Sequence, residues 1–375
     1  MTQQKQINKI EYSQVSELCD FRKGKKVNST KEKTKNSVPY LLIDTLRGAE
    51  PEFFTEDKNY TEAIPDDILI VADGANSGLV GTGVSGAVGS TILRIRLKVK
   101  DLDKDYLSYF LKSKFEEFNK DMKGTGIPHL KPKNMLESKI RKPSLSEQTL
   151  IVQEIEKQFT RLDSAVKALK SVKQKLEVYR KAVLKKAFEK KEGWEEKTLK
   201  EACDELFAGG DLPKGNWSKE RTEEFQIPIY ANGIKDKGLY GYTNIIRTDK
   251  KCVTVSARGT IGHTEIREEP FYPIVRLLVA IPKKDLDYKY LKYLLDFMDV
   301  KGNGISIPQL TIPKIKLEIV YFPFINEQSL IVQSIESKFS VIDKIEQIIN
   351  QSLSKAEKLR KSILKSAFEG KLVKT

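Results

Sequence analysis

The sequence predicts an α+β protein made by internal duplication: two mixed α/β domains separated by two long antiparallel coiled-coil helices, with a pseudo-twofold internal repeat. Three observations predict it. The segment EQTLIVQEIEKQF at Glu147 returns as EQSLIVQSIESKF at Glu327, 180 residues later. Each copy opens a long stretch with apolar residues at every seventh position. Upstream of each stretch lie short strand-like runs followed by one amphipathic helix, in the same order both times.

The repeat runs well beyond thirteen residues. At the offset of 180, Pro143 falls on Pro323, Phe159 on Phe339 and Asp163 on Asp343, and RKAVLKKAFE at Arg180 matches RKSILKSAFE at Arg360. Upstream, ELCD at Glu17 aligns with EACD at Glu201 at an offset of 184. A period this long marks a duplicated domain, since solenoid repeats run at about 20–50 residues. The chain therefore divides into a first mixed domain at 1–145, a helical region at 146–191, a second mixed domain at 192–325 and a second helical region at 326–375.

From Ser146 to Lys191 there is no proline or glycine, and Ile155, Leu162, Leu169, Leu176 and Val183 form one column of a heptad seam. Val152, Phe159 and Val166 form the other until Lys173 interrupts it. Ser146 is the expected N-cap and Glu147 the first-turn acid. The second copy repeats the column with Ile335, Ile342, Ile349, Ala356 and Ile363, and Asn326 takes the cap. A lone helix with such a stripe would expose it to water, so the two helices are expected to pack on each other. Leu150, Ile151 and Val172 in the first, and Leu330, Ile331, Val341 and Ile348 in the second, lie off the seam and point to a second partner.

In the first mixed domain PYLLID at Pro39, DILIVA at Asp67 and STILRIRL at Ser90 read as strands, and the run from Asp103 places Tyr106, Phe110, Lys114 and Phe118 on one helical face. In the second, IPIYAN at Ile227, CVTVSARG at Cys252 and VRLLVAI at Val275 precede a helix from Asp287. Order and length are kept while the residues differ, as in two readers of different targets.

Lys and Arg total 66 against 52 Asp and Glu, a formal charge of +14, which favours a polyanionic partner, nucleic acid first. Three cysteines without ligand spacing, no apolar leader and no apolar span point to a cytoplasmic chain with no membrane partner. In FRKGKKVNSTKEKTK, Arg22, Lys23, Lys25, Lys26 and Lys31 stand among turn residues and are candidates for phosphate contact. In the second domain Asn232, Lys235, Lys237 and Tyr240 mix amide, basic and aromatic groups on a glycine-punctuated loop, and Arg258 lies in SARGTIGH. Asn pairs with adenine and Arg with guanine in the major groove, both bidentately. A solvated basic loop and a plain hairpin are the competing structural readings.

Catalytic and metal sites have no visible residues. GTGVSG at Gly81 matches GxGxxG, but AVGSTILRIRL after it reads as a strand where a dinucleotide site needs a helix. No GxxxxGK[ST] occurs, Glu-x-Lys triplets arise by chance in so charged a chain, and His129 and His263 lack companions at ligand spacing.

The paired segments PSLSEQTLIV and PFINEQSLIV, the helix ends LKKAFE and LKSAFEGKL, and SARGTIG together resemble the specificity (S) subunit of type I restriction-modification systems. The resemblance spans essentially the whole chain. It implies two target recognition domains, separated and closed by two conserved helical regions, each reading one half of a split double-stranded DNA sequence. It also implies a non-catalytic chain docking two methyltransferase (M) subunits that methylate adenine, with restriction (R) subunits in the full complex. S-adenosylmethionine, ATP and Mg are then expected on those partners and no cofactor on this chain. Within the helical regions Gln148, Ile151, Val152, Gln328, Ile331 and Val332 are the candidates for docking. Where the second domain has Arg258 the first has Asp73 in VADGANSG, so no base-reading role is carried to Asp73. Helix length would act as a ruler, removal of four residues from the first long helix, about 6 Å of rise, altering the gap between half-sites and leaving the half-sites unchanged. A coiled-coil scaffold or a general DNA-binding protein is the alternative.

Overall fold

The structure, a computed structural model, describes residues 11–74, 76–118, 132–298 and 310–373. His129 lies outside these. The chain forms two compact units, residues 1–169 with 351–375 and residues 170–350. The long helices span Leu145–Ala187 and Ile325–Phe368, each close to 65 Å by rise per residue. The unit boundaries fall inside both helices and not at their starts, because each helix end is built into a globular core.

In the first unit Tyr12–Gln14 pairs with Lys139–Arg141, the strand just before the long helix. A four-stranded antiparallel sheet follows in the spatial order Cys19–Lys23, Ile92–Leu97, Ile68–Val71, Val80–Thr82. A second sheet contains one parallel pair, Val38–Leu41 with Gly86–Val88. The helix Lys104–Ser113, capped by Asp103, covers the four-stranded sheet. GTGVSG thus leads from the strand Val80–Thr82 into the strand Gly86–Val88, with Gly83 at φ 78° between them.

The second unit repeats this plan. Glu195–Thr198 pairs with Ile319–Phe322. The four-stranded sheet runs Cys203–Ala208, Leu278–Pro282, Cys252–Val255, Thr264–Arg267, and the parallel pair is Ile227–Tyr230 with Tyr272–Pro273. Asp287 caps the helix Tyr288–Phe297. Cys19 and Cys203 begin equivalent strands, and burial pushes their thiols, and that of Cys252, up to about 12, which keeps them unreactive.

Two glycines are required by close approach. Gly24 and Gly209 follow the first strand of each four-stranded sheet and donate to the Ile92 and Leu277 carbonyls at 2.8 Å. A β-carbon on Gly24 would run into the Val88 and Gly89 carbonyl oxygens, and one on Gly209 would lie 2.6 Å from the Pro273 carbonyl carbon. Gly24→Ala and Gly209→Ala are each expected to cost about 1–3 kcal/mol, read as a lower urea midpoint. Gly210→Ala, where nothing lies within 4 Å, leaves the midpoint in place.

The long helices start two residues earlier than caps at Ser146 and Asn326 would place them. Ser144 caps the first, its Oγ accepting from the Glu147 amide at 3.3 Å, so Ser146 is not the cap. Asn326 lies inside the second helix, whose first amides turn back to the Phe324 carbonyl. Pro143 and Pro323 end the preceding strands and set these starts. The second helix ends on Gly370 at φ 72°, with the Lys371 amide donating to the Ser366 carbonyl at 2.8 Å.

Candidate nucleic-acid interface

The frame that presents the loops is built from repeated contacts. In the first unit Gln148 is fully buried; its Oε1 accepts from the Asp103 amide at 2.7 Å, and its Nε2 donates to the Asp101 carbonyl at 3.0 Å and the Pro143 carbonyl at 2.8 Å. In the second, Gln328 accepts from the Asp287 amide and donates to the Asp285 and Pro323 carbonyls, all at 2.8 Å. Each glutamine ties the start of a long helix to the start of the short helix covering the sheet. Ile151, Val152 and Ile155 share a core with Ile363, Leu364 and Ala367 in the first unit. Ile331, Val332 and Ile335 share one with Val183, Leu184 and Phe188 in the second.

Those placements correct the docking candidates. Gln148, Ile151, Val152, Gln328, Ile331 and Val332 are all buried, consumed in fixing helices to domains, and a side chain without exposure offers no docking face. Outward apolar residues on the long helices include Leu150 and Leu330, 49% and 65% exposed, with Val172, Val341 and Ile348.

Within each unit the helices run antiparallel in one register. In the first, Arg360 pairs with Asp163 and lies 4.3 Å from the centre of the Phe159 ring. In the second, Arg180 pairs with Asp343, lies 4.9 Å from Phe339, and Lys173 reaches Asn350 at 3.0 Å. Shifting Arg360, Asp163 and Phe159 by 180 gives Arg180, Asp343 and Phe339, so the arginine latch is repeated.

The first unit's basic loop folds onto residues 52–59. Thr30 forms a bridge with Phe54, and the Asn28 amide donates to Asp57 at 2.8 Å. Arg22 lies 3.4 Å from Asp20, Lys23 2.8 Å from Asp73 and Lys31 2.5 Å from Glu52, while Lys25 donates to Asn59. Lys26 is exposed. Surface pairs of this kind contribute about 0–1 kcal/mol, so a phosphate can replace the carboxylate at little cost. Arg47, which the sequence reading missed, caps the short helix Ile43–Leu46 and reaches both Asp44, at 3.1 Å, and Asn76. It joins the loop after one strand to the loop after another, a link no local pattern announces.

In the second unit Asn232 does not face solvent as a free amide. Its Oδ1 accepts from the Ala257 amide and its Nδ2 donates to the Val275 carbonyl, both at 2.7 Å. Both ends of the amide are thus engaged by backbone, which makes Asn232 a brace between these two loops in this geometry. Lys235 and Lys237 are exposed on a turn in which Asp236 and Lys237 take φ of 48° and 54°. That turn is held by Arg267, which donates to the Lys237 carbonyl at 2.6 Å and to Thr254 Oγ1 at 3.2 Å, with its guanidinium 3.6 Å from the Tyr230 ring centre. Burial depresses the Arg267 guanidinium from its ordinary value. Tyr240 is 38% exposed, 5.5 Å from the Trp217 ring, with Lys219 5.1 Å above it. Arg258 is exposed beside Gly259, whose φ is 68°. His263 lies 3.2 Å from Glu265.

The result is one domain present twice, its glutamine ties and arginine latch repeated and its exposed loops different. A family model described as type I restriction modification DNA specificity domain matches residues 8–177 and again 191–355. The chain belongs to that family. The type I restriction enzyme MjaVIII specificity subunit of Methanocaldococcus jannaschii is 24% identical over 402 residues, covering 96% of this chain and 92% of that protein. The EcoBI specificity subunit of Escherichia coli is 21% identical over 388 residues, covering 90% and 81%. A chain of a type I R-M system, solved to explain its complex assembly and conformational transition, superposes with a TM-score of 0.82 at 16% identity over 96% of this chain and 98% of that one. The HsdS subunit from Thermoanaerobacter tengcongensis gives 0.58 at 17% identity, covering 96% and 97%. Among the described residues no helix is long and apolar enough to cross a membrane.

Proposed function

We propose that this chain reads a two-part double-stranded DNA sequence, one part per domain, and performs no chemistry itself. The observation that carries the reading is the duplication with divergent loops: buried frame contacts recur one for one, while the exposed basic and aromatic residues are replaced. Two methyltransferase subunits dock on the outward apolar residues of the long helices, around Leu150, Leu330, Val341 and Ile348. Those subunits and the restriction subunits bring S-adenosylmethionine, ATP and Mg, and the complex acts in the cytoplasm.

Titration of labelled duplex against the chain, with and without its methyltransferase subunits, tests this. A reader neutralising about six phosphates loses roughly a thousandfold in affinity between about 50 and 200 mM salt. A flat response would favour a protein-binding scaffold.

A further inference from the structure

We infer that Arg276 reads a base in the second half-site and that Asn232 is the positioning residue that aims it. The inference rests on the DNA-reading function proposed above. Val275 and Arg276 are consecutive non-glycine residues with φ of 53° and 58°, a conformation especially unfavourable for a β-branched valine. Such strain persists only where surrounding bonds enforce it, and it clusters at sites of function. Three hydrogen bonds enforce it here. The Val275 amide donates to the Gly210 carbonyl at 2.9 Å, the Arg276 amide to the Gly209 carbonyl at 3.0 Å, and Asn232 to the Val275 carbonyl at 2.7 Å.

The same Asn232 amide holds the Ala257 backbone. Arg258 and Arg276 therefore each follow directly the residue gripped by one end of a single side chain. Arg276 is exposed and makes no ion pair among the described residues, whereas Arg22, Lys23 and Lys31 of the first unit's basic loop are paired with carboxylates. A guanidinium on a fixed backbone has the fork geometry that binds O6 and N7 of guanine together. The preceding Asn232 loop carries Lys235 and Lys237 for the flanking phosphates, with Arg267 fixing their turn from beneath.

The test uses the full chain with its methyltransferase subunits in cells, reading methylated sequences by single-molecule sequencing. Arg276→Gly removes the guanidinium while easing the positive-φ backbone, so lost folding is not the cause of its effect. It is expected to lower discrimination at one G·C pair of the second half-site by roughly ten- to a hundredfold, with the first half-site unchanged. Arg276→Lys, a charge without a fork, relaxes the same position. Asn232→Asp, which keeps the acceptor for Ala257 and loses the donor to Val275, relaxes that position as well. An intact two-part sequence with Arg276→Gly overturns the inference, as does a uniform loss of binding across all sequences with a shallower salt slope, the mark of a phosphate contact. A wild-type complex methylating no two-part sequence overturns the underlying function, and this assignment with it.

Discussion

Gln148→Ala and Gln328→Ala are each expected to cost on the order of 3–5 kcal/mol. Each buried amide satisfies one backbone N–H and two backbone carbonyls, and leaving a buried polar group unpaired costs about 1–3 kcal/mol. The two glutamines share no partner, so the costs add in the double variant. Gln148→Glu separates hydrogen bonding from volume. It keeps the size and one acceptor, replaces both donors by a carboxylate facing two carbonyls, and is expected to destabilise at least as much as alanine. Urea unfolding of the single and double variants checks this; a glutamate variant near wild type would show that the cavity is filled by shape and that the clamp contributes little.

Removing residues 166–172 together with 351–357 is expected to shorten the gap between half-sites by about three base pairs and to leave both half-sites as they were. The matched pair is needed because Asp163 meets Arg360 in the first unit and Arg180 meets Asp343 in the second at one constant register. Loss from one helix alone, as the sequence invites, breaks that register. Seven residues carry about 10.5 Å of rise and return the seam within about 20°, and DNA rises about 3.4 Å per base pair. Methylated sequences from cells carrying the deletion give the gap directly. Altered half-sites with the original gap would show that the helices do not set the spacing.

The architecture was legible because it depends on periodicities the chain states outright. The heptad columns through Ile155 and Ile335, and the amphipathic runs from Asp103 and Asp287, all appear as helices where expected. The site was legible only as composition. Periodicity says that Ile151 and Val152 are buried without saying by what, and their cover is the domain as well as the partner helix. Asn232 looked like a base reader because its partners, Ala257 and Val275, are 25 and 43 residues away. Arg276 was hidden inside the apolar run VRLLVAI, whose first two residues turn out to form a left-handed corner before the strand Leu278–Pro282. Trp217 and Lys219 beside Tyr240 could have been found, since an aromatic next to a base on a polar loop is a local signal.

The most direct measurement is the set of methylated sequences in cells holding the cognate methyltransferase subunits with and without this chain. The account predicts one adenine-methylated sequence in two parts separated by a fixed gap, present with the chain and gone without it. Methylation that persists without the chain, or a single continuous recognition sequence, would contradict it.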